Sequence, residues 1–384
     1  MAILSSNLNT PERSLGRKFR DIHWLFIILV SAITGIGVAM LYSAANGNFD
    51  PWASKHIIRF GFGVLLLICV ALIDLRFWLR WAYAIYFFAM VLLAAVEITG
   101  YIGMGAQRWI SLGIINVQPS EVMKIGLVLA LSRYFHGSGP EDVRRISHLL
   151  IPLLMIAMPV LFVLRQPDLG TAIMLMMVSS AIMFLAGVRL WIFAAVGATA
   201  LAAIPIAWRF LHDYQQLRII TFFNPESDPL GAGYHIIQSK IAFGSGGLFG
   251  KGFLLGSQSH LSFLPEKQTD FIFTMLAEEF GMVGGLVLLT LYILVMAYGF
   301  AMSLRARNQF GRLLGLGITA TFFLYVFINM AMVMGLIPIV GVPLPLISYG
   351  GTAMLTVLFS FGLLMSVHVH RDVLIGRRGI DDNW

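Results

Sequence analysis

The chain has 384 residues, is 58% hydrophobic and only 12% charged, and carries a formal net charge of +7, with a mean hydropathy of +0.84. Soluble domains are roughly a quarter charged, so this composition excludes an ordinary soluble fold and reads as a polytopic membrane protein. The basic balance needs no nucleic acid as partner, because cytoplasmic loops of membrane proteins collect Lys and Arg.

A basic tail with Arg13, Arg17, Lys18 and Arg20 precedes the first apolar run, 24–45. That run is longer than the roughly 7–15 residues of a signal h-region, and further spans follow it. It reads as an uncleaved first helix with its N-terminus in the cytoplasm. With about 20 apolar residues needed to cross the hydrocarbon core, spans are expected near 24–43, 57–73, 78–98, 119–135, 149–164, 170–187, 190–208, 271–299, 314–336 and 349–367. The expected fold class is an all-α polytopic membrane protein of about ten transmembrane helices. Residues 1–22 form a disordered cytoplasmic tail, 23–370 a single transmembrane domain and 371–384 a second cytoplasmic tail. Cys69, the single cysteine, lies in an apolar run and reads as a buried, inert thiol.

Orientation follows from the basic residues. With the N-terminus inside, the inner side receives the tail cations, Arg76 and Arg80, Arg144 and Arg145, Arg189, Arg305, Arg307 and Arg312, and Arg371, Arg377 and Arg378. The short outer loops hold only Lys55, Arg59, Arg108 and Arg165. That asymmetry fits an even number of spans with both termini cytoplasmic. The long connection 209–269 then lies outside, before the eighth span. Pro225, Asp228, Pro229, Gly231 and Gly233 make turns in it. Tyr234–Phe243 reads as a short amphipathic helix with Ile236, Ile237 and Ile241 on one side, suited to the interface plane.

The polar groups that a membrane span has to account for all fall on the outer side. In GAQRWISLGIINVQPSEVMK (Gly105–Lys124), Pro119 and Glu121 suit a first helical turn. Glu121 alone reads equally as a helix-start signal. Lys124, three residues on, turns the two into an expected intramembrane pair. In RQPDLGT, Asp168 reads first as the N-cap of the sixth span. GSGGLFGKG (Gly244–Gly252) misses the phosphate-loop pattern, since Gly252 follows Lys251, and reads as a flexible, backbone-exposing loop.

In LSFLPEKQTDFIFTMLAEEFG, Asp270 stands directly before an apolar run, expected at the water–lipid boundary on a helix's first turn. Thr274 and Glu278 follow at intervals of four, so the three would share one face. Carboxyl groups within a span are costly and face a cavity or a partner. Pairing of Glu278 or Glu279 with a basic group from another span is as good a reading as catalysis. In LIPIVGVPLPLISYGGT, Pro338, Pro343 and Pro345 cannot continue a helix. Irregular backbone at membrane depth must be buried or line a wet cavity, which predicts a broken segment beside Asp270. No zinc-type ligand spacing occurs, and neither Ser262 nor Ser348 has a His close in sequence, so a nucleophilic triad has no support.

The motifs GAQRWI, QPSE with Lys124, QPDLGTA, NPESDPLGAGYHIIQSKIAFGSGGLFGKG, FLPEKQTDFIF and PLPLISYGG, in that order, resemble the SEDS family (shape, elongation, division and sporulation) over nearly the whole chain from the first span to Val367. The wording ESDPLGAGYHIIQSK and GSQSHLSFLPEKQTDF is closer to the elongation, rod-shape branch than to the cell-division branch. The resemblance implies a peptidoglycan glycosyltransferase of the bacterial inner membrane, multi-pass, with its active face periplasmic. Such an enzyme polymerises lipid II, the undecaprenyl-diphosphate-linked disaccharide pentapeptide, into glycan strands with inversion. It implies a class B penicillin-binding protein (a transpeptidase) and the elongation machinery as partners, and no organic cofactor. The family's essential aspartate falls at Asp270. Glu121, Lys124 and Trp109 match positions of its outward-facing cavity, and Arg108, Lys267, Gln268, Glu278 and Ser348 join them as substrate-binding candidates.

The chemistry agrees. A base is needed for the acceptor hydroxyl, and a carboxylate at an apolar boundary has its pKa raised toward that task. The diphosphate leaving group needs positive charge, for which Lys124, Arg108, Lys240, Lys251 and Lys267 are candidates, as is a divalent cation, Mg2+ or Mn2+, held at Asp270. The alternatives are a flippase for the lipid-linked precursor or another transporter, which needs polar groups near the midplane and inner side, and a scaffold, which leaves the carboxylates unexplained.

Overall fold

The computed structural model describes residues 14–376 apart from 100, 104–105, 112–115, 167, 210, 212, 228–230 and 258–266. The elements run α1 (Leu15–Arg20), α2 (Trp24–Ala44), α3 (Ala53–Leu72), α4 (Leu75–Thr99), β1 (Tyr101–Gly103), β2 (Ala106–Ser111), β3 (Asn116–Val117), α5 (Pro119–Gly137), α6 (Pro140–Val143), α7 (Ile146–Arg165), α8 (Leu169–Leu185), α9 (Leu190–Trp208), α10 (Asp213–Phe223), a 3-10 turn (Pro225–Ser227), α11 (Ala232–Ser245), α12 (Ile272–Leu304), α13 (Gln309–Val333) and α14 (Gly351–Val369). By length and composition α2, α3, α4, α7, α12, α13 and α14 can cross a membrane, and α8 and α9 are shorter apolar helices. With α5, which carries Glu121, Lys124 and Arg133, they stand at the sequence positions of the expected spans.

Helix starts are set by local chemistry. The His23 ring accepts from Phe26 N at α2, Pro119 opens α5, Asp168 accepts from Thr171 N at α8 and Asn308 accepts from Gly311 N at α13. Each satisfies or removes a donor that a first turn leaves open. α13 is buried along most of its length and packs against α12, α5 and α8, while α14 lies against α3 and α4 against α5. Between α4 and α5 a small antiparallel sheet, ordered β1-β2-β3, interrupts the otherwise helical chain.

Several expectations are corrected. Part of the N-terminal tail is helical, as α1, and Lys18 Nζ donates to Leu72 O at 3.4 Å. Cys69 is exposed on α3, not buried, because an apolar run that spans a membrane turns one side away from the rest of the protein. The connection 209–269 holds α10 and α11. The helix expected at Tyr234–Phe243 is present within α11, but Ser239, Ala242 and the following Gly246 are buried while Ile241 is exposed. Its buried face meets α12. The tail residues 1–13 and 377–384, the turn at Asp228–Pro229 and Ser262 lie outside the described residues.

α12 differs most from its expectation. Its 33 residues would measure about 50 Å as one rod at 1.5 Å per residue, far beyond the roughly 30 Å hydrocarbon core. The helix is broken at Gly281, where φ is 64° and ψ is −159°. Continuous helix would bond Met282 N to Glu278 O and Val283 N to Glu279 O. Instead Lys251 N donates to Glu278 O and Gly252 N to Glu279 O, both at 3.0 Å, and Met282 N donates to Gly247 O and Val283 N to Leu248 O, at 3.0 and 3.1 Å.

The glycine-rich stretch 244–252 is therefore not a flexible loop. It supplies all four partners that the break requires. A side chain on Gly246 would overlap Ala277 O, and one on Gly250 (φ 80°) would overlap Glu279 O. Gly250→Ala is expected to destabilise the protein by more than about 2 kcal/mol, from left-handed strain and overlap together. Gly244→Ala, whose added carbon meets nothing within 4 Å, is expected to change stability by less than about 0.5 kcal/mol. Thermal unfolding of the two detergent-solubilised variants checks this, and equal melting temperatures would refute it.

Candidate active site

Asp270 does not sit on the first turn of a helix. It ends the turn 267–270, two residues before α12, and is half-buried. The turn is held by its backbone. Tyr349 N donates to Gln268 O at 2.8 Å, Ser348 Oγ to Thr269 O at 2.6 Å, and Asn329 Nδ2 to Asp270 O at 2.9 Å. Ser348 also accepts from Leu344 N at 2.8 Å. Lys267 in the same turn is half-buried, and burial pushes its ammonium pKa below the ordinary lysine value.

The proline-rich strap 337–350 is irregular, as expected, and lies beside Asp270. A side chain on Gly341 would come 3.4 Å from Asp270 Oδ2. Four strap carbonyls receive side-chain donors: Ile339 O from Arg218 at 3.3 Å, Val342 O from Asn329 at 2.7 Å, Pro345 O from Tyr292 at 2.7 Å and Leu346 O from His56 Nε2 at 3.1 Å. Gly37 of α2 admits the strap, since a carbon there would lie 2.8 Å from Ile347 Cα. Arg59 stands over the Tyr349 ring at 4.8 Å.

The Glu121–Lys124 pair is present and buried, with Nζ to Oε1 at 2.6 Å. Tyr325 of α13 donates to Glu121 Oε2 at 2.6 Å and is also bonded to Lys124. Thr356 of α14 donates to the same Oε2 at 3.2 Å. A buried ion pair persists only with such extra hydrogen bonds. Beneath it lies a cavity of about 30 Å³ lined by Thr321, Ser360 and apolar neighbours, room for a water but not for a sugar. Tyr325 and Asn329 are four residues apart on α13, so one helical turn carries both the pair and the anchor of the Asp270 turn.

The expected stripe of Asp270, Thr274 and Glu278 does not line a cavity. With Asp270 off the helix, the remaining two face the connection 209–269. Thr274 Oγ1 lies 2.8 Å from Ser239 Oγ, which donates to Val333 O. Glu278 pairs with Lys251 at 2.8 Å and accepts from Ser257 at 3.3 Å. Glu279 accepts from Ser43 of α2.

In the QPD motif, Gln166 Nε2 donates to Leu93 O at 3.0 Å. Asp168 is the N-cap of α8 and accepts from Thr171 Oγ1 at 2.9 Å. Arg108 on β2 lies 3.8 Å from Asp168, and Trp109 beside it is half-buried. Of the expected cations, Lys124, Lys251 and Arg108 each stand against a carboxylate, and Lys240 lies against Gly335.

Sequence reasoning missed Tyr325, Asn329, Tyr292, Arg59 and Arg218. Their only signal is a polar group in or beside an apolar run, with Tyr325 and Asn329 at helical spacing. Among the described residues no group of three or more His, Cys, Asp and Glu gathers to hold a metal.

The chain has relatives among known proteins and solved structures. A family model described as the FtsW, RodA and SpoVE cell cycle proteins matches residues 23–373. The chain is 46% identical over 339 residues to the peptidoglycan glycosyltransferase MrdB of Escherichia coli K12, covering 88% of this chain and 90% of that one. It is similar to a chain in a solved structure described as structural coordination of polymerization and crosslinking by a peptidoglycan synthase complex, at TM-score 0.78 and 32% identity, covering 91% and 98% of the two chains. It also matches the rod shape determining protein RodA of Thermus thermophilus at TM-score 0.69 and 29% identity, covering 91% and 97%. With the family model matched from α2 past the end of α14, this multi-pass membrane protein belongs to the FtsW/RodA/SpoVE cell cycle protein family.

Proposed function

We propose that the chain is a peptidoglycan glycosyltransferase of cell-wall elongation, polymerising lipid II on the periplasmic side of the bacterial inner membrane. The observation that carries this is Asp270, half-buried on a turn whose backbone is clamped by Ser348, Tyr349 and Asn329. Its relatives are named peptidoglycan glycosyltransferases. In the reaction, an acceptor sugar hydroxyl attacks the anomeric carbon of the donor sugar. The bond from that carbon to the diphosphate breaks, the diphosphate leaves with the electron pair, and the configuration inverts. Asp270 takes the hydroxyl proton, and a clamped turn keeps the carboxylate from drifting out of reach.

A divalent cation at Asp270 would add charge neutralisation at the diphosphate, with substrate phosphates and water completing its ligands as is usual for Mg2+. Lys267 and Arg108 are the basic candidates nearest that chemistry, with Gln268, Trp109 and Ser348 shaping the approach. Lys124 and Glu121 work one helical turn away as a pair that fixes α13 against α5 and α14, and Glu278 with Lys251 fixes the connection 209–269. The small volume of the cavity under the pair favours this reading over a flippase. A class B penicillin-binding protein is the proposed partner, in line with the synthase complex of the similar structure.

Asp270→Asn and Asp270→Ala are expected to lower polymerisation of lipid II by the purified protein by at least about a hundredfold, with the melting temperature kept. Full polymer formation by either variant would remove Asp270 from the role. Lys124→Met is expected to cost about 3–5 kcal/mol of stability by stranding a buried carboxylate. Adding Glu121→Gln should recover part of that loss. A double variant no more stable than Lys124→Met alone would show that the two do not act as a pair.

A further inference from the structure

A group of arginines stands apart from Asp270, on the far part of α5 and the start of α4. Arg133 of α5 lies about 18 Å along that helix from Glu121, at 1.5 Å per residue. Its Nη1 donates to Leu79 O at 2.9 Å and to Arg80 O at 2.7 Å, and its guanidinium lies 4.5 Å from the centre of the Tyr83 ring. Arg76 and Arg80 share one exposed face of α4, a turn apart. Among the described residues no carboxylate stands within ion-pair distance of these three guanidinium groups. The Asp74 carboxylate accepts from Arg76 N at 2.8 Å, and Asp142, in the short helix after α5, accepts from Gly139 N at 3.1 Å. Like charges a turn apart on a helix repel, and an anion between them removes that cost.

The exposed face continues from charge to hydrocarbon. Arg76, Arg80, Tyr83, Phe87 and Val91 follow at intervals of three and four, so they form one stripe of α4. All of them are exposed, on a helix long and apolar enough to cross a membrane. From Arg80 to Val91 the stripe is about 16 Å long, the depth of one leaflet of a roughly 30 Å core. Beside it α7 is held in place through its prolines. Pro152 and Pro159 lack the N–H that His148 O and Met155 O would otherwise receive. Tyr134 of α5 donates to the first at 2.6 Å and Tyr86 of α4 to the second at 2.9 Å. Tyr134 adjoins Arg133 in sequence and Tyr86 lies a turn from Tyr83, so the arginines and the stripe rest on helices tied at two points.

We infer that this face binds an anionic glycerophospholipid of the surrounding membrane. Arg76, Arg80 and Arg133 hold its phosphate, and one acyl chain lies along Tyr83, Phe87 and Val91. The order of groups along α4 matches that molecule: charge first, then an aromatic ring with a polar tip, then hydrocarbon. An acidic protein surface would match the arginines but leave the apolar stripe unexplained. A general excess of basic residues at membrane boundaries would leave Arg133 unexplained, since it is half-buried and held by three contacts rather than extended into solvent. Arginine suits a lipid phosphate because its planar donors engage two oxygens at once. A lipid seated here braces α4 against α5, the helix that carries Glu121 and Lys124.

The test uses the full detergent-solubilised chain and measures binding of phosphatidylglycerol, phosphatidylethanolamine and inorganic phosphate by native mass spectrometry. Phosphatidylglycerol is expected to bind at least about tenfold more tightly than phosphatidylethanolamine with the same acyl chains. Arg76→Gln combined with Arg80→Gln is expected to weaken phosphatidylglycerol by about thirtyfold, the worth of two arginines at a lipid surface. The melting temperature should be kept, because both side chains are exposed. Arg189→Gln combined with Arg305→Gln removes the same charge from exposed arginines elsewhere and is expected to change binding by less than about twofold. Phe87→Ser, which leaves the charges in place, is expected to weaken the lipid, and inorganic phosphate should bind far more weakly than the lipid. Unchanged phosphatidylglycerol binding in the Arg76/Arg80 double variant overturns the assignment and leaves the arginines to an acidic protein surface. Equal losses in the two double variants overturn it as well, since they mark attraction to net charge alone. Inorganic phosphate bound as tightly as the lipid overturns it by removing the acyl stripe from the site.

Discussion

Backbone that leaves the helix inside a membrane protein has to find its hydrogen bonds within the protein, because an unpaired N–H or C=O in that setting costs several kcal/mol. Among the places where the described chain leaves the helix are Gly281 and the strap 337–350. At Gly281 the remedy is backbone to backbone, with residues 247–252 taking over the bonds of the broken turn. Along the strap it is side chain to backbone, through Arg218, Asn329, Tyr292 and His56. Several polar residues in apolar helices are thereby explained as the partners of irregular backbone.

That requirement also positions the chemistry. Asn329 serves Val342 O and Asp270 O together, and Ser348 ties Leu344 N to Thr269 O. The strap and the turn 267–270 are thus one hydrogen-bonded unit. The carboxylate of Asp270 is carried on it without its position depending on a flexible side chain elsewhere. In the proposed reaction, preorganisation of this kind would spare the carboxylate a search for geometry.

Three of the buried carboxylates are matched. Glu121 with Lys124, Glu278 with Lys251, and Asp168 with Thr171 and Arg108 each satisfy one another. Tyr325 stands one turn from Asn329 on α13, so the charge cluster between α5, α13 and α14 and the backbone clamp at Asp270 share a single rigid support. These pairs act as scaffold, holding the helices and the connection 209–269 together.

Composition and apolar run length alone determined that the chain is a helical membrane protein, and where its spans fall along it, because burial in hydrocarbon demands long apolar helices whatever the neighbours. The order of GAQRWI, QPSE, QPDLGT and the Asp270 motif was likewise legible, as were the Glu121–Lys124 spacing and the Asp168 cap, which are contacts within a turn of one helix. Only the tertiary structure decided that Asp270 lies off the helix, that Thr274 and Glu278 face the connection 209–269, that the glycine-rich stretch is a clasp, and that Tyr325, Asn329 and Arg218 belong beside the site. Those facts rest on which distant donor meets which unpaired carbonyl, from Lys251 to Glu278 or Asn329 to Asp270. Such pairings leave no periodicity in the chain, since they are set by packing between elements and not by the local repeat of a helix.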